Sequence, residues 1–220
     1  MITIILPVHN EEKTLEANVE LLRKSLKKDY EIILAEDGST DNTVAIAKKL
    51  KDVILITSSK RLGRGLALSN AIRQAKGERI IYMDADLATE LPHIKDMLEQ
   101  NYDIVTGSRL LPGSVVTNRS AIREFFSKSY NLLIRLLFNS KIKDHQCGFK
   151  AFKRTVIPLL ETVQDHHWFW DTELLIRAQK QGLSVKEIPV KWADRKNSKV
   201  KLHTDIIYMG LAAIRLRLTI

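Results

Sequence analysis

The sequence predicts an α/β protein, a mostly parallel sheet flanked by helices, on three observations. Short apolar runs alternate with stretches of helical periodicity through the first half of the chain, the rhythm of a parallel sheet with right-handed crossovers. Ile80-Ile81-Tyr82-Met83 runs straight into Asp84-Ala85-Asp86, as a buried strand does on leaving its sheet at the carboxyl edge, where α/β sites lie. A second apolar run ends in a comparable acidic turn, Glu36-Asp37-Gly38-Ser39, so the two turns share one sheet edge and can line one cleft.

In chain order, Ile2 to Val8 reads as the first strand, closed by Pro7-Val8-His9-Asn10. A helix follows with Leu15, Val19, Leu22 and Leu26 at helical spacing; Asn10 is placed to cap it, and Glu11 and Glu12 suit its positive end. Tyr30 to Ala35 predicts a strand, Thr43 to Leu50 a helix and Asp52 to Thr57 a third strand. The Arg61-to-Gly65 loop leads to a helix from Leu66 to Lys76 and then to the strand Arg79 to Asp84. A short helix from Pro92 to Gln100, its proline suited to a first turn, precedes a strand from Tyr102 to Thr106. After Gly107-Ser108-Arg109 the rhythm changes to a long amphipathic helix from Ser120 to Phe138 and short strands around Gly148 to Phe152 and Ser184 to Ile188. Between those strands a helix from Thr172 to Gln181 is ended by Gly182.

At 220 residues, 45% hydrophobic and 28% charged, the chain fits one globular domain with a core of ordinary size, and no low-complexity tract or repeat interrupts it. A lone cysteine, Cys147, excludes an intramolecular disulfide and leaves too few thiols for a structural zinc site, which points to a reducing compartment. Asn118-Arg119-Ser120 is then an idle glycosylation sequon. An apolar strand pattern directly after Met1 predicts no signal peptide, and no uncharged apolar run is long enough to predict a transmembrane helix. The net charge of +9 calls for an anionic partner: a nucleotide, a phosphate or a membrane surface. Nucleic acid is disfavoured, because the basic residues are dispersed and no recognised binding module is present.

Asp84 and Asp86 fall on one side of an extended chain about 7 Å apart, suited to gripping one divalent cation between them. Oxygen-only donors select Mg²⁺ or Mn²⁺ over zinc, and a metal held by two carboxylates keeps positions open for substrate phosphates. The same letters also read as a solvated strand end. In the other turn Asp37 can accept from a base N–H or a ribose hydroxyl while Gly38 and Ser39 let a ligand approach the backbone; a plain turn with a helix cap at Asp41 explains those letters equally. His166-His167 is a poor metal pair, since adjacent residues rarely ligate one ion.

Together with Leu6-Pro7-Val8-His9-Asn10-Glu11-Glu12, these blocks resemble the family 2 glycosyltransferases of the GT-A fold, and the likeness covers nearly the whole chain. The resemblance implies that Pro7, Asn10, Glu11, Asp37, Ser39, Arg64, Asp84, Ala85 and Asp86 hold a nucleotide-sugar, and that a metal on Asp84 and Asp86 bridges its diphosphate. It also divides the single domain into a nucleotide-sugar-binding half (1–106), an acceptor-side half (107–202) and an amphipathic C-terminal helix (203–220). Gly107-Ser108-Arg109, Gln146-Cys147-Gly148-Phe149-Lys150, Phe169-Trp170-Asp171-Thr172-Glu173-Leu174 and Trp192 with Ser198-Lys199 resemble the polyprenyl-phosphate or dolichyl-phosphate glycosyltransferases. In their mannosyl branch a glutamine commonly sits two residues after the second metal Asp; here Ala88 does, which is nearer the glucosyl branch and implies UDP-glucose before GDP-mannose.

The acceptor chemistry follows from charge. A lipid monophosphate with a second pKa of about 6 is already a nucleophilic oxyanion at neutral pH and needs cations more than a base. Arg109, Arg123, Arg195 and Lys199, with Ser198 beside it, are the expected phosphate ligands; Arg123 and Lys199 also read as merely solvated. Asp171 and Glu173 follow bulky aromatics. In hydroxyl-accepting relatives an acid near here is the base, whereas a phosphate acceptor leaves it to grip sugar hydroxyls or a loop cation. The expected catalytic set is Asp86, Arg109, Asp171, Glu173 and Arg195, acting in a single inverting displacement. Two segments suit the membrane interface: the helix carrying Ile122, Phe125, Phe126, Leu132, Leu133, Leu136 and Leu137, and Ile206 to Ile220 with Arg215 and Arg217. Packing on the core or in a homodimer explains the first equally. The expected location is cytoplasmic, peripheral at the inner membrane face. Transfer to a saccharide or protein hydroxyl, and a binding module without turnover, are the rival readings.

Overall fold

A computed structural model describes residues 1–26, 29–195 and 202–220. The chain runs β1 (Ile2–Val8), α1 (Leu15–Ser25), β2 (Tyr30–Glu36), α2 (Thr43–Ala47), β3 (Ile54–Ile56), α3 (Arg64–Gln74), β4 (Arg79–Met83), α4 (His93–Leu98) and β5 (Ile104–Ser108). It continues through β6 (Val115–Thr117), α5 (Ala121–Phe138), β7 (Phe149–Lys153), a run of 3₁₀ turns at Arg154–Thr162, α6 (Trp170–Lys180), β8 (Val185–Pro189), β9 (Lys191–Ala193) and α7 (Leu202–Thr219).

Seven strands form one sheet in the order β3-β2-β1-β4-β7-β5-β8. Every pairing is parallel except those of β7, which lies antiparallel between β4 and β5. That insertion matters for function. The parallel strands deliver their ends to one edge, and an antiparallel strand starts at that same edge, so residues 146–148 enter the sheet where β4 and β5 leave it. β6 and β9 pair as a separate parallel ribbon, joined to the segment after β4 by an isolated bridge between Thr89 and Trp192.

Alternation along the strands splits the core in two. Ile4, Leu6 and Val8 face one side with Leu15, Val19 and Leu22 of α1 and Met97 of α4. Ile5, Ile33, Ile80 and Tyr82 face the other, against Leu68 and Ile72 of α3 and Trp170 and Leu174 of α6. A third cluster joins α5, α6 and α7 through Tyr130, Ile134, Phe138, Ile176, Met209 and Ala213.

Several expectations shift. Asn10 does not cap α1: it sits at φ 53° and its carboxamide bonds Thr40, while the helix begins at Leu15, whose N–H donates to the Glu11 carbonyl at 2.9 Å. α3 begins at Arg64, before the expected Leu66. The β6–β9 ribbon lacks any periodic signal, because strands of three residues do not complete a recognisable alternation, whereas the 3₁₀ run carries Val156, Leu159 and Leu160 at helical spacing with Pro158 among them. Gly182 does terminate α6, at φ +76° with its N–H on the Gln179 carbonyl.

Gly65 lets α3 meet α6: a Cβ there would lie 2.5 Å from the Trp170 Cβ. Gly65→Ala should lower stability by about 1–3 kcal/mol through overpacking, read as a fall in the urea midpoint. Gly210→Ala, with nothing within 4 Å of its new methyl, should leave the midpoint unchanged or raise it.

Candidate active site

β4 ends at Met83, and the chain turns at once. The Leu87 N–H donates to the Asp84 carbonyl at 3.0 Å, Leu87 takes φ 51°, and one Asp86 carboxylate oxygen accepts from the Ala88 N–H at 3.0 Å. Asn18 of α1 anchors the turn by donating to the Ala85 carbonyl at 2.8 Å. Both carboxylates line a cavity of about 300 Å³ at the sheet edge. Burial, and next the charge of Asp84, push the Asp86 carboxyl up to about 6. Two oxygen donors that repel one another fit a hard divalent cation. Gly148 lets the chain pass close against Asp84, since a Cβ there would come within 2.1 Å of an Asp84 carboxylate oxygen. Among the described residues no larger group of His, Cys, Asp or Glu forms a metal cluster.

Behind the turn lies a buried ion network. Asp171, in the first turn of α6, accepts from Lys150 Nζ at 2.8 Å, from Arg64 Nη1 at 2.6 Å and from the Tyr82 hydroxyl. Arg64 reaches on to Asp84 at 2.9 Å. Burial alone would raise the Asp171 carboxyl, but Lys150 and Arg64 outweigh it and hold the group below its ordinary range. Asp171, which also lines the cavity, therefore anchors Arg64 at the start of α3 while paired with Lys150. Glu173 is turned away from the cavity: it accepts from the N–H groups of Gln164 and Asp165 at 3.1 and 2.8 Å and from Arg177 at 2.7 Å.

The other acidic turn closes the far end of the cavity, where Pro7, Glu11, Asp37 and Arg61 line it. The Asp37 carboxylate accepts from Leu62 N–H at 2.6 Å and Gly63 N–H at 3.1 Å, so it braces the loop that carries Arg64. Asn10 and Ser39 lie behind this wall, the Asn10 N–H donating to the Ser39 hydroxyl at 3.0 Å, and neither lines the cavity.

The opposite wall is cationic. Arg109 follows β5 and makes a doubly bonded pair with the buried Asp144, at 2.8 and 2.9 Å. Arg123 stands 3.7 Å from Asp194, and Arg195 donates to the Leu87 carbonyl at 3.2 Å, tying its segment to the acidic turn. Ser198 and Lys199 lie outside the described residues. Several lining groups carried no sequence signal: Arg119, the buried Ser127 whose hydroxyl has no partner among the described residues, Tyr130, Trp168 and Met209. Arg119 sits in what reads as a sequon, Ser127, Tyr130 and Met209 look like ordinary helix-face residues, and Trp168 lies in the turn before α6.

An acidic turn at the carboxyl edge of a parallel sheet, with one antiparallel strand inserted and a cationic wall opposite, defines a GT-A glycosyltransferase fold. The structure of glucosyl-3-phosphoglycerate synthase from Mycobacterium tuberculosis with Mn²⁺, UDP-glucose and phosphoglyceric acid superposes on the whole chain and 80% of that protein, with a TM-score of 0.74 at 17% identity. Residues 3–159 match the glycosyl transferase family 2 description, and the chain belongs to that family. Over 97% of its length it is 42% identical to glycosyltransferase AglD of Haloferax volcanii, of which it spans only 36%. It is 33% identical to a dolichyl-phosphate beta-glucosyltransferase of Trichomonas vaginalis, spanning 97% of this chain and 70% of that protein. To the human dolichyl-phosphate beta-glucosyltransferase it is 32% identical, across 98% of this chain and 75% of the relative.

Asp171→Asn leaves the buried Lys150 and Arg64 short of a counter-charge and should cost about 3–5 kcal/mol, measured by denaturant unfolding. Because Asp171 is held below its unfolded value, its contribution is present above about pH 4 and lost as the pH falls through the folded value. The variant should therefore show a shallower acid loss of stability than the parent. Glu173→Gln should lower stability while leaving nucleotide affinity unchanged, as titration calorimetry would report.

Proposed function

We propose that this chain moves a hexose from a nucleotide-sugar, UDP-glucose before GDP-mannose, to a polyprenyl or dolichyl phosphate at a cytoplasmic membrane face. The observation that carries this reading is one cavity that joins the Asp84/Asp86 turn to an arginine wall and then to apolar side chains of α5 and α7, among them Phe126, Ile206 and Met209. Donor diphosphate, acceptor phosphate and lipid each find matching chemistry along one path. The curated relatives that are dolichyl-phosphate beta-glucosyltransferases support the donor sugar and the acceptor class.

In this reading Pro7, Glu11 and Asp37 line the nucleoside end, and Asp84 and Asp86 would hold Mg²⁺ or Mn²⁺. When bound, such a cation supplies charge neutralisation to the departing diphosphate. Arg64, tethered by Asp171, stands beside Asp84 to orient the donor. The arginine wall holds the acceptor phosphate in line with the anomeric carbon; a phosphate oxygen bonds to that carbon as its bond to the nucleotide diphosphate breaks, with inversion, and positioning supplies much of the rate. No side chain needs to remove a proton from a phosphate oxyanion. A hydroxyl acceptor would need a base, and the two acids expected for that task are occupied: Asp171 by Lys150, Arg64 and Tyr82, Glu173 by backbone amides and Arg177.

The surface supports membrane docking. On α5, Ile122, Phe125 and Leu136 are exposed, Leu136 to 75%; on α7, Ile207, Leu211 and Leu218 are exposed, Leu218 to 82%. The two helices pack on each other, and each carries an exposed apolar stripe, that of α7 flanked by the exposed Arg215 and Arg217. Among the described residues no helix is long and apolar enough to cross a membrane.

Asp86→Ala should abolish transfer and remove the metal-dependent part of nucleotide affinity with the fold intact; full turnover in the variant would reject the assignment. Calorimetric titration with UDP-glucose and GDP-mannose, each with Mg²⁺ or Mn²⁺, decides the donor, and tighter UDP-glucose binding is expected. Phe125→Glu combined with Leu136→Glu should abolish co-sedimentation with anionic vesicles while preserving transfer to a short, water-soluble isoprenyl phosphate.

A further inference from the structure

We propose that Arg119, laid over the face of Trp192, is the principal ligand of the acceptor's monoester phosphate. The inference rests on the acceptor class proposed above and assigns its headgroup a place.

Of the arginines that line the cavity, most are already engaged. Arg64 is bonded to Asp84 and Asp171, Arg109 doubly to Asp144, Arg123 faces Asp194 at 3.7 Å and Arg195 donates to a carbonyl. Arg61 approaches Asp37 at 4.0 Å. Arg119 is different. Among the described residues it makes no ion pair, and its guanidinium carbon rests 5.6 Å from the Trp192 ring centroid. Arg109 lies over the same ring at 5.3 Å. Burial, and next the neighbouring Arg109 charge, push Arg119 down to about 10, so it keeps its proton at neutral pH while sitting in a site that disfavours a lone cation. Asp144, Asp194 and Glu124 act on it through space without pairing with it.

The backbone is built to place this group. The β6–β9 ribbon sets Val116 opposite Trp192, and the Asp194 N–H closes the ribbon on the Thr117 carbonyl at 2.9 Å. Asn118 then takes φ 61°, a left-handed turn that asparagine tolerates, and Arg119 follows it. The ribbon is itself tied to the acidic turn, through the Thr89–Trp192 bridge and the Ala193 N–H on the Ala88 carbonyl at 2.9 Å. An anion on Arg119 therefore sits at a fixed place relative to Asp84 and Asp86. It also stands just ahead of α5, whose exposed apolar stripe leads away from it. A planar guanidinium resting over an indole leaves N–H groups to offer an anion as a fork, which suits a phosphate monoester with two or three free oxygens. A neutral hydroxyl acceptor would give it no counter-charge.

The test titrates the protein without donor, following tryptophan fluorescence, with citronellyl phosphate, citronellol and inorganic phosphate; Trp192→Phe identifies the reporting ring. The parent should bind citronellyl phosphate and not citronellol. Arg119→Gln should weaken that binding at least tenfold, Arg119→Lys should recover part of it, and UDP affinity should stay within twofold in both, with unchanged unfolding midpoints. Parent-like phosphate binding in Arg119→Gln overturns the proposal, as does a loss shared equally with UDP, which would move Arg119 to the donor diphosphate. Inorganic phosphate bound as tightly as citronellyl phosphate would overturn the lipid headgroup as its occupant. The two readings separate cleanly: Arg119-dependent phosphate binding without sugar transfer upholds this site and rejects the proposed function, whereas transfer to a lipid phosphate at parent rates by Arg119→Gln does the reverse.

Discussion

The buried Lys150–Asp171 pair is the constraint on which the site depends. Lys150 is wholly excluded from solvent in the middle of the sheet, and an ammonium there is tolerable only with a carboxylate against it. Asp171 meets it from the first turn of α6, where a negative charge also suits the helix dipole. The remaining acceptor capacity of Asp171 goes to Arg64 at the start of α3 and to Tyr82 of β4. One carboxylate thus locks two helices and two neighbouring strands together directly behind the acidic turn. The Trp170 indole N–H, bonded to Ser69 at 2.9 Å, repeats the α3–α6 link one residue earlier.

The same arrangement explains why acids and arginines face each other. Strand ends at the carboxyl edge present Asp37 and Asp84, and the antiparallel entry of β7 brings Gly148 against Asp84 with almost no space between them. The chain leaving β5 carries Arg109, whose charge is balanced by Asp144 from the approach to β7. Carboxylates and arginines therefore line one cavity, Arg64 bonded to Asp84 and Asp171 and Arg109 to Asp144. In the proposed reading, that cavity suits a metal-binding diphosphate together with a second anion.

Much of this was legible locally. The alternation of strands and helices up to β5, the acidic turns and the glycine that ends α6 are properties of short segments, and the structure has them at the expected places within a few residues. Asn10 shows where local reading fails: the letters of a helix cap are also those of a left-handed turn, and contact with Thr40, thirty residues away, chose between them. Asp171 and Glu173 show it again. Two residues apart on a helix, they point about 200° from each other, so only one can face the cavity, and nothing in Asp171-Thr172-Glu173 says which.

What the sequence by itself determined was the class of sheet, the edge on which the site lies, the paired carboxylates and the family resemblance, all carried by contiguous residues. Only the tertiary structure decided that β7 runs antiparallel through the sheet, that Asp171 is bound to Lys150 and Arg64, and that Arg119 is the lining arginine resting on Trp192 without an ion-pair partner among the described residues. The physical reason is the same in each case. These facts are set by packing between segments tens of residues apart, where burial decides which charges must be paired and which stand ready for a ligand.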